Sequence, residues 1–128
     1  MSVELTMLLW SVILYFILIM IAARLALKEN GVQAQAGPRD NLPEPSDTLK
    51  RYRRLASNMQ ENLLMFGLLV GIASAADIST SLTVLGAQLF FYARCAHAVI
   101  YIAGWPMVRP LAWISGVVGM GMIAYALF

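Results

Sequence analysis

Leu5 to Ala23 is an apolar run without one charged side chain, ending at Arg24 and Lys28. At ~1.5 Å per helical residue it is long enough to cross the ~30 Å hydrocarbon core of a bilayer. The rest of the composition agrees with a membrane chain. Charged residues are 12% and hydrophobic residues 60% of the 128 positions, against roughly 25% charged in soluble domains. The expected fold is therefore all-α, a single four-span membrane bundle over residues 1–128.

Three further spans follow the first, which covers about 5–28. Residues 29–48 change character, with Gly31, Gly37, Pro38, Pro43 and Pro45 among polar neighbours, and read as a loop. The second span covers 49–76, with Ser46 and Asp47 available as N-caps. Ser79 to Ser81 makes a polar link to the third span at 82–103. Gly104, Trp105, Pro106 and Arg109 lead to the fourth at 110–128, where Pro110 suits a first helical turn. No Lys or Arg precedes the first apolar run, so it reads as a span and not as a cleaved signal.

Basic residues cluster on one side. Arg24, Lys28, Arg39, Lys50, Arg51, Arg53 and Arg54 flank or fill the first connection and Arg109 lies in the third, while the N-terminus and the second connection have none. By the positive-inside rule the 29–48 loop is cytoplasmic and both termini lie on the other side. Lys50 and Arg53 read as anchors of this topology.

Within the spans, polar residues are placed where lipid disfavours them. Arg54, Asn58 and Glu61 descend one side of the second span, at roughly 6, 12 and 16 Å from its cytoplasmic end. Arg94, His97 and Tyr101 form a stripe on the third at i, i+3, i+7. Tyr101 lies roughly 3 Å, His97 roughly 9 Å and Arg94 roughly 13 Å from the same end. Antiparallel pairing of the stripes would bring Glu61 to Arg94, with Arg109 closing the mouth. Singly these residues have structural uses: an ion pair that fixes register, a hydrogen-bonded packing histidine, an interfacial tyrosine, an asparagine joining helices. Together they bring Arg54, Arg94 and Arg109 around one intramembrane carboxylate, and that excess of cation calls for an anionic ligand.

Other features read as structural. Gly67, Gly71 and Ala75 on the second span, and Ser115, Gly116, Gly119 and Gly121 on the fourth, suit close helix packing. The single Cys95 excludes an internal disulfide. No residues have metal-ligand spacing, no glycine-rich phosphate loop is present, and no nucleic-acid partner is expected. A small drug/proton antiporter would need a carboxylate central in the first span, whereas Glu4 lies at its edge.

The pattern Arg51-x-x-Arg54-Leu-Ala-Ser-Asn58-Met-Gln-Glu61-Asn62, with Phe66, Arg94-x-x-His97-x-x-x-Tyr101 and Arg109, resembles the MAPEG family, the membrane-associated proteins of eicosanoid and glutathione metabolism. The likeness extends over essentially the whole chain, and Gly37-Pro38-Arg39-Asp40 is similar to the first loop of bacterial members. It implies a homotrimer in a bacterial inner membrane, with glutathione as co-substrate between subunits near the cytoplasmic side. Arg54 and Arg94 would hold its carboxylates, Glu61 its ammonium, Asn58 its peptide part, and Arg109 its thiolate. His97 and Tyr101 would line the pocket, and Arg24 would be a further ligand from the first span. A small apolar substrate would enter from the lipid, for conjugation or for reduction of a lipid hydroperoxide. Leu55 stands where the family often has Ala, and Pro110 where some members carry a hydroxyl. The alternative is a non-catalytic membrane protein whose polar seam serves helix packing and trimerisation.

Overall fold

The structure, a computed structural model describing residues 1–128, is all-helical. Four long helices are present: α1 (Val3–Asn30), α3 (Asp47–Ala75), α4 (Ser81–Ala103) and α5 (Arg109–Ala126), with a short α2 (Val32–Ala36) inside the first connection. Each boundary has a local cause. Ser2 caps α1 by accepting from the Leu5 N–H, and Ser46 caps α3 by accepting from the Leu49 N–H. Thr80 and Thr83 cap α4 reciprocally. Gly104, in the left-handed region at φ 77°, ends α4, and Pro110 lies in the first turn of α5.

The short connections make successive long helices antiparallel. The first connection is drawn closed by Glu29, whose carboxylate accepts from the Ser46 N–H at 3.0 Å and the Ser46 hydroxyl at 2.7 Å. These bonds hold the Glu29 carboxyl below its ordinary range. Lys50 and Glu44 form an ion pair at 2.5 Å beside it. The loop expected at 29–48 thus contains one helical turn and a polar closure that pattern alone did not reveal.

α4 and α5 make the tightest contact. A Cβ on Gly86 would lie 2.6 Å from the Gly119 carbonyl oxygen, and one on Gly119 would lie 2.6 Å from that of Gly86. Only glycine lets the two backbones come this close. The expected small-residue stripe at Gly67 and Gly71 is not a tight crossing: a Cβ on Gly67 would meet only the Leu8 tip at 3.6 Å, and one on Gly71 nothing within 4 Å. Next to the Gly86–Gly119 contact, Phe66 of α3 stacks on Phe90 of α4 with centroids 3.9 Å apart, inside a cluster with Val70, Ala87, Met120 and Ile123. A second cluster of Leu18, Leu55, Met59 and Ala98 joins α1, α3 and α4 nearer the polar residues.

Only 26 of the 128 residues are buried, while Trp10, Phe16, Ile17, Leu64, Leu68, Ile72, Tyr92 and Val118 are exposed. An apolar exterior around a small core suits lipid or other subunits, not water. α1 and α4 are by themselves long and apolar enough to cross a membrane, with mean hydropathies of 2.5 and 1.2 over their most apolar stretch. α3 has the length but carries the basic run and the polar stripe in its first half, and α5 opens on Arg109 and Pro110.

Candidate functional site

The polar residues converge where α3 begins, α4 ends and α5 begins. The α3 face made by Leu55, Met59, Asn62 and Phe66 packs inward, and Asn58 borders it. On α4 the stripe at 94, 97 and 101 turns toward α3 and α5. α5 then adds Arg109 and, one turn later, Trp113. Arg54, Asn58, His97, Tyr101, Arg109, Pro110 and Trp113 line an open cavity of about 500 Å³, within the size range of small-molecule sites.

Arg94 lies behind this wall and is 1% exposed. Its Nη2 donates to Asn58 Oδ1 at 2.7 Å, its Nε makes a longer contact of 3.4 Å with the Met59 sulfur, and its Nη1 is buried without a partner. Gly116 of α5 lies beside its stem, where a Cβ would meet Arg94 Cδ in ordinary contact at 3.6 Å. A guanidinium in this setting normally has a carboxylate, and here it has a neutral amide. His97 is 3% exposed, and its Nδ1 also lacks a partner. Tyr101 links the cavity's edges: it accepts from Arg54 Nε at 3.1 Å, and the Arg109 guanidinium carbon lies 5.2 Å from the centre of its ring. Neither Arg54 nor Arg109 forms an ion pair within the chain.

Six of the residues expected from the sequence therefore come together within one chain: Arg54, Asn58, Arg94, His97, Tyr101 and Arg109. Two do not. Glu61 is exposed on the outer flank of α3, and the Glu61–Arg94 pairing is not formed. The reason is angular. At ~100° per residue, Asn58 is turned roughly 80° from the middle of the packed α3 face and Glu61 roughly 140°, so equal depth does not produce contact. Arg24 is exposed on the outside of α1, in an apolar groove with Phe16, Ile17, Met20 and Leu27. Trp113 was missed in the sequence, although it stands at i+4 from Arg109 and so shares its helix face. Met59 was missed because a thioether carries no polar signal.

No group of three or more His, Cys, Asp or Glu residues is placed to hold a metal. The chain matches the model of the MAPEG family over residues 5–128. No curated protein and no solved structure matches it.

Proposed function

Because the chain belongs to the MAPEG family, a membrane family of glutathione-related transferases and peroxidases, we propose that it is a glutathione-dependent membrane enzyme, acting in a bacterial inner membrane on an apolar electrophile or a lipid hydroperoxide. The observation that carries this reading is Arg94, a buried guanidinium that meets no carboxylate and stands behind a cavity edged by two more arginines. Such a site favours a small dianionic ligand, and glutathione carries two carboxylates, one ammonium and a thiol.

In this reading Arg54 takes one glutathione carboxylate by a charge-assisted fork, and Arg94 holds the other through Nη1 together with the amide of Asn58. Arg109 stabilises the thiolate over the thiol, so that the nucleophile forms at neutral pH. Pro110 supplies no hydroxyl, which leaves this task to the guanidinium. The thiolate then attacks an electrophilic carbon, forming a C–S bond as the leaving group departs or a strained ring opens. With a hydroperoxide it attacks the terminal oxygen, the O–O bond breaks, and the alkoxide leaves and takes up a proton as the alcohol. A second glutathione thiol then condenses with the resulting sulfenic acid to give the disulfide and water. His97 and Tyr101 line the pocket, and Trp113 offers an apolar wall toward the co-substrate.

Glu61 and Arg24 complete the site in a homotrimer. Both are exposed on the outside of the single chain, and in this reading each would reach the cavity of a neighbouring subunit, where Glu61 would take the glutathione ammonium. Calorimetric titration of the purified protein with glutathione tests the reading: saturable binding at millimolar glutathione or below is expected, weakened in Arg94→Ala and Glu61→Ala. Absence of saturable binding to the wild type refutes it and leaves the polar seam as an assembly element.

A further inference from the structure

At the end of the bundle opposite the arginine-lined mouth, Glu4 is 3% exposed even though it lies in the first turn of an outer helix. One oxygen, Oε1, accepts from the Ser79 hydroxyl at 2.9 Å and from the Thr83 hydroxyl at 2.5 Å. The other, Oε2, is buried and has no partner. A buried carboxylate oxygen without a partner is an acceptor that needs a hydrogen-bond donor, a proton or a cation at that point. A cavity of about 200 Å³ adjoins it, with Ser2, Ser74, Asp77 and Ser79 among its lining residues and no Lys, Arg or His. Asp77 is held there in the left-handed region at φ 54°, where α3 ends. The negative end of the α3 dipole lies here too, opposed by the positive ends of α1 and α4, so the two carboxylates are what make the pocket attractive to a cation.

We propose that this pocket is a cation site for a hard divalent ion of the calcium class, held by Glu4 Oε2 and the Asp77 carboxylate, with hydroxyls of Ser2 and Ser74 and with water. The donors are all oxygen, which selects hard cations over zinc or copper. Two carboxylates balance a divalent charge. Their irregular arrangement, on a helix start and a helix end, suits the flexible coordination of calcium better than the octahedron that magnesium demands. With only two charged ligands the affinity is of the order of 10⁻⁴–10⁻³ M, as in modules that work in calcium-rich surroundings. A bound ion would tie the start of α1 to the α3–α4 link.

The test is thermal unfolding of the detergent-solubilised protein, stripped of metal and free of glutathione, titrated with calcium chloride and, at matched ionic strength, with sodium chloride. Calorimetric titration with calcium chloride gives the direct isotherm. Calcium is expected to raise Tm saturably over the millimolar range and to bind one ion per chain. Asp77→Asn should weaken binding at least tenfold, and because Asn tolerates the left-handed region and position 77 is exposed, this variant keeps the fold. Glu4→Gln should abolish binding, and Arg94→Met should leave it intact. An equal Tm rise with sodium chloride, an unchanged isotherm in Asp77→Asn, or no heat of calcium binding to the wild type would overturn the proposal, whatever the outcome of the glutathione titration.

Discussion

Replacing Arg94 by Met should make the ligand-free protein no less stable while removing most of its affinity for glutathione. Without ligand, Arg94 has one good hydrogen bond, to Asn58, one long sulfur contact and an orphaned Nη1. The bond to a charged donor contributes about 1.5–3 kcal/mol, and the orphaned group costs about 1–3 kcal/mol. Removing the buried charge adds a gain, since apolar replacements of buried ionic groups are often neutral or stabilising. The expected net change is about 1 kcal/mol in favour of Arg94→Met; Asn58 borders the open cavity, so its freed oxygen can be hydrated. Glutathione reverses the order. At a concentration 100 times its Kd it stabilises the wild type by about 2.7 kcal/mol. Loss of one charge-assisted contact weakens binding about 50-fold, and the same concentration then stabilises the variant by only about 0.6 kcal/mol. Thermal unfolding in detergent, followed by tryptophan fluorescence with and without glutathione, should therefore show the two Tm values exchange rank. If the variant is less stable than wild type by more than about 2 kcal/mol without ligand, Arg94 is a structural strut. An equal gain in both proteins would remove it from the site.

Arg109→Ala should leave glutathione binding largely intact but reduce the ultraviolet absorbance of bound thiolate in stopped-flow mixing; an unchanged signal would assign thiol activation to another group. Tyr101→Phe should separate Arg54 from α4 and raise the glutathione Kd by roughly tenfold, in line with loss of one hydrogen bond to a charged donor, and a Kd within twofold of wild type would count against that contact. Gly86→Ala should destabilise by about 1–3 kcal/mol through overpacking, measurable as a fall in Tm, and wild-type stability would mean that the helices separate freely. The Glu29–Ser46 closure gives a pH dependence. The folded Glu29 carboxyl titrates below its ordinary 4.5, so its contribution is complete above that value and is lost as pH falls through the lower folded one. Protection of the amides in residues 31–45, taken as exchange relative to the intrinsic rate at each pH, should fall with acidification in the wild type and be low at every pH in Ser46→Ala; protection independent of pH in the wild type would contradict the assignment.

Helix ends were legible because single residues mark them: Ser46 offers an oxygen to free N–H groups, Gly104 accepts a positive φ, and Pro110 lacks only a hydrogen that a first turn does not use. The stripe of Arg94, His97 and Tyr101 was legible for a similar reason, since polar side chains stand out against apolar neighbours. The Glu61–Arg94 pairing was not, because depth along two helices omits rotation about each axis, and rotation is set by which apolar face packs. Gly86 gave no signal, for a lone glycine in an apolar run becomes meaningful only once its opposite number on another helix is known. Glu4 looked like a residue at the edge of a span and is instead buried against the hydroxyls of the α3–α4 link and α4. Its partners lie 75 and 79 residues away in sequence, a separation no local pattern spans.

The bare-backbone contact of Gly86 with Gly119 divides the cavity wall into two bodies. His97 and Tyr101 on α4 are set against Arg109 and Trp113 on α5, because the two helices are held together by this backbone contact at one end and by the short connection from α4 to α5 at the other. Arg54 and Asn58 ride on α3, which has no such close approach to either. The width of the cavity is thus a single coordinate, the distance of α3 from the α4–α5 pair, spanned at its mouth by the Arg54–Tyr101 hydrogen bond and at its floor by Arg94 and Asn58. A bulkier ligand gains room only along that coordinate, and in doing so it stretches both bonds together.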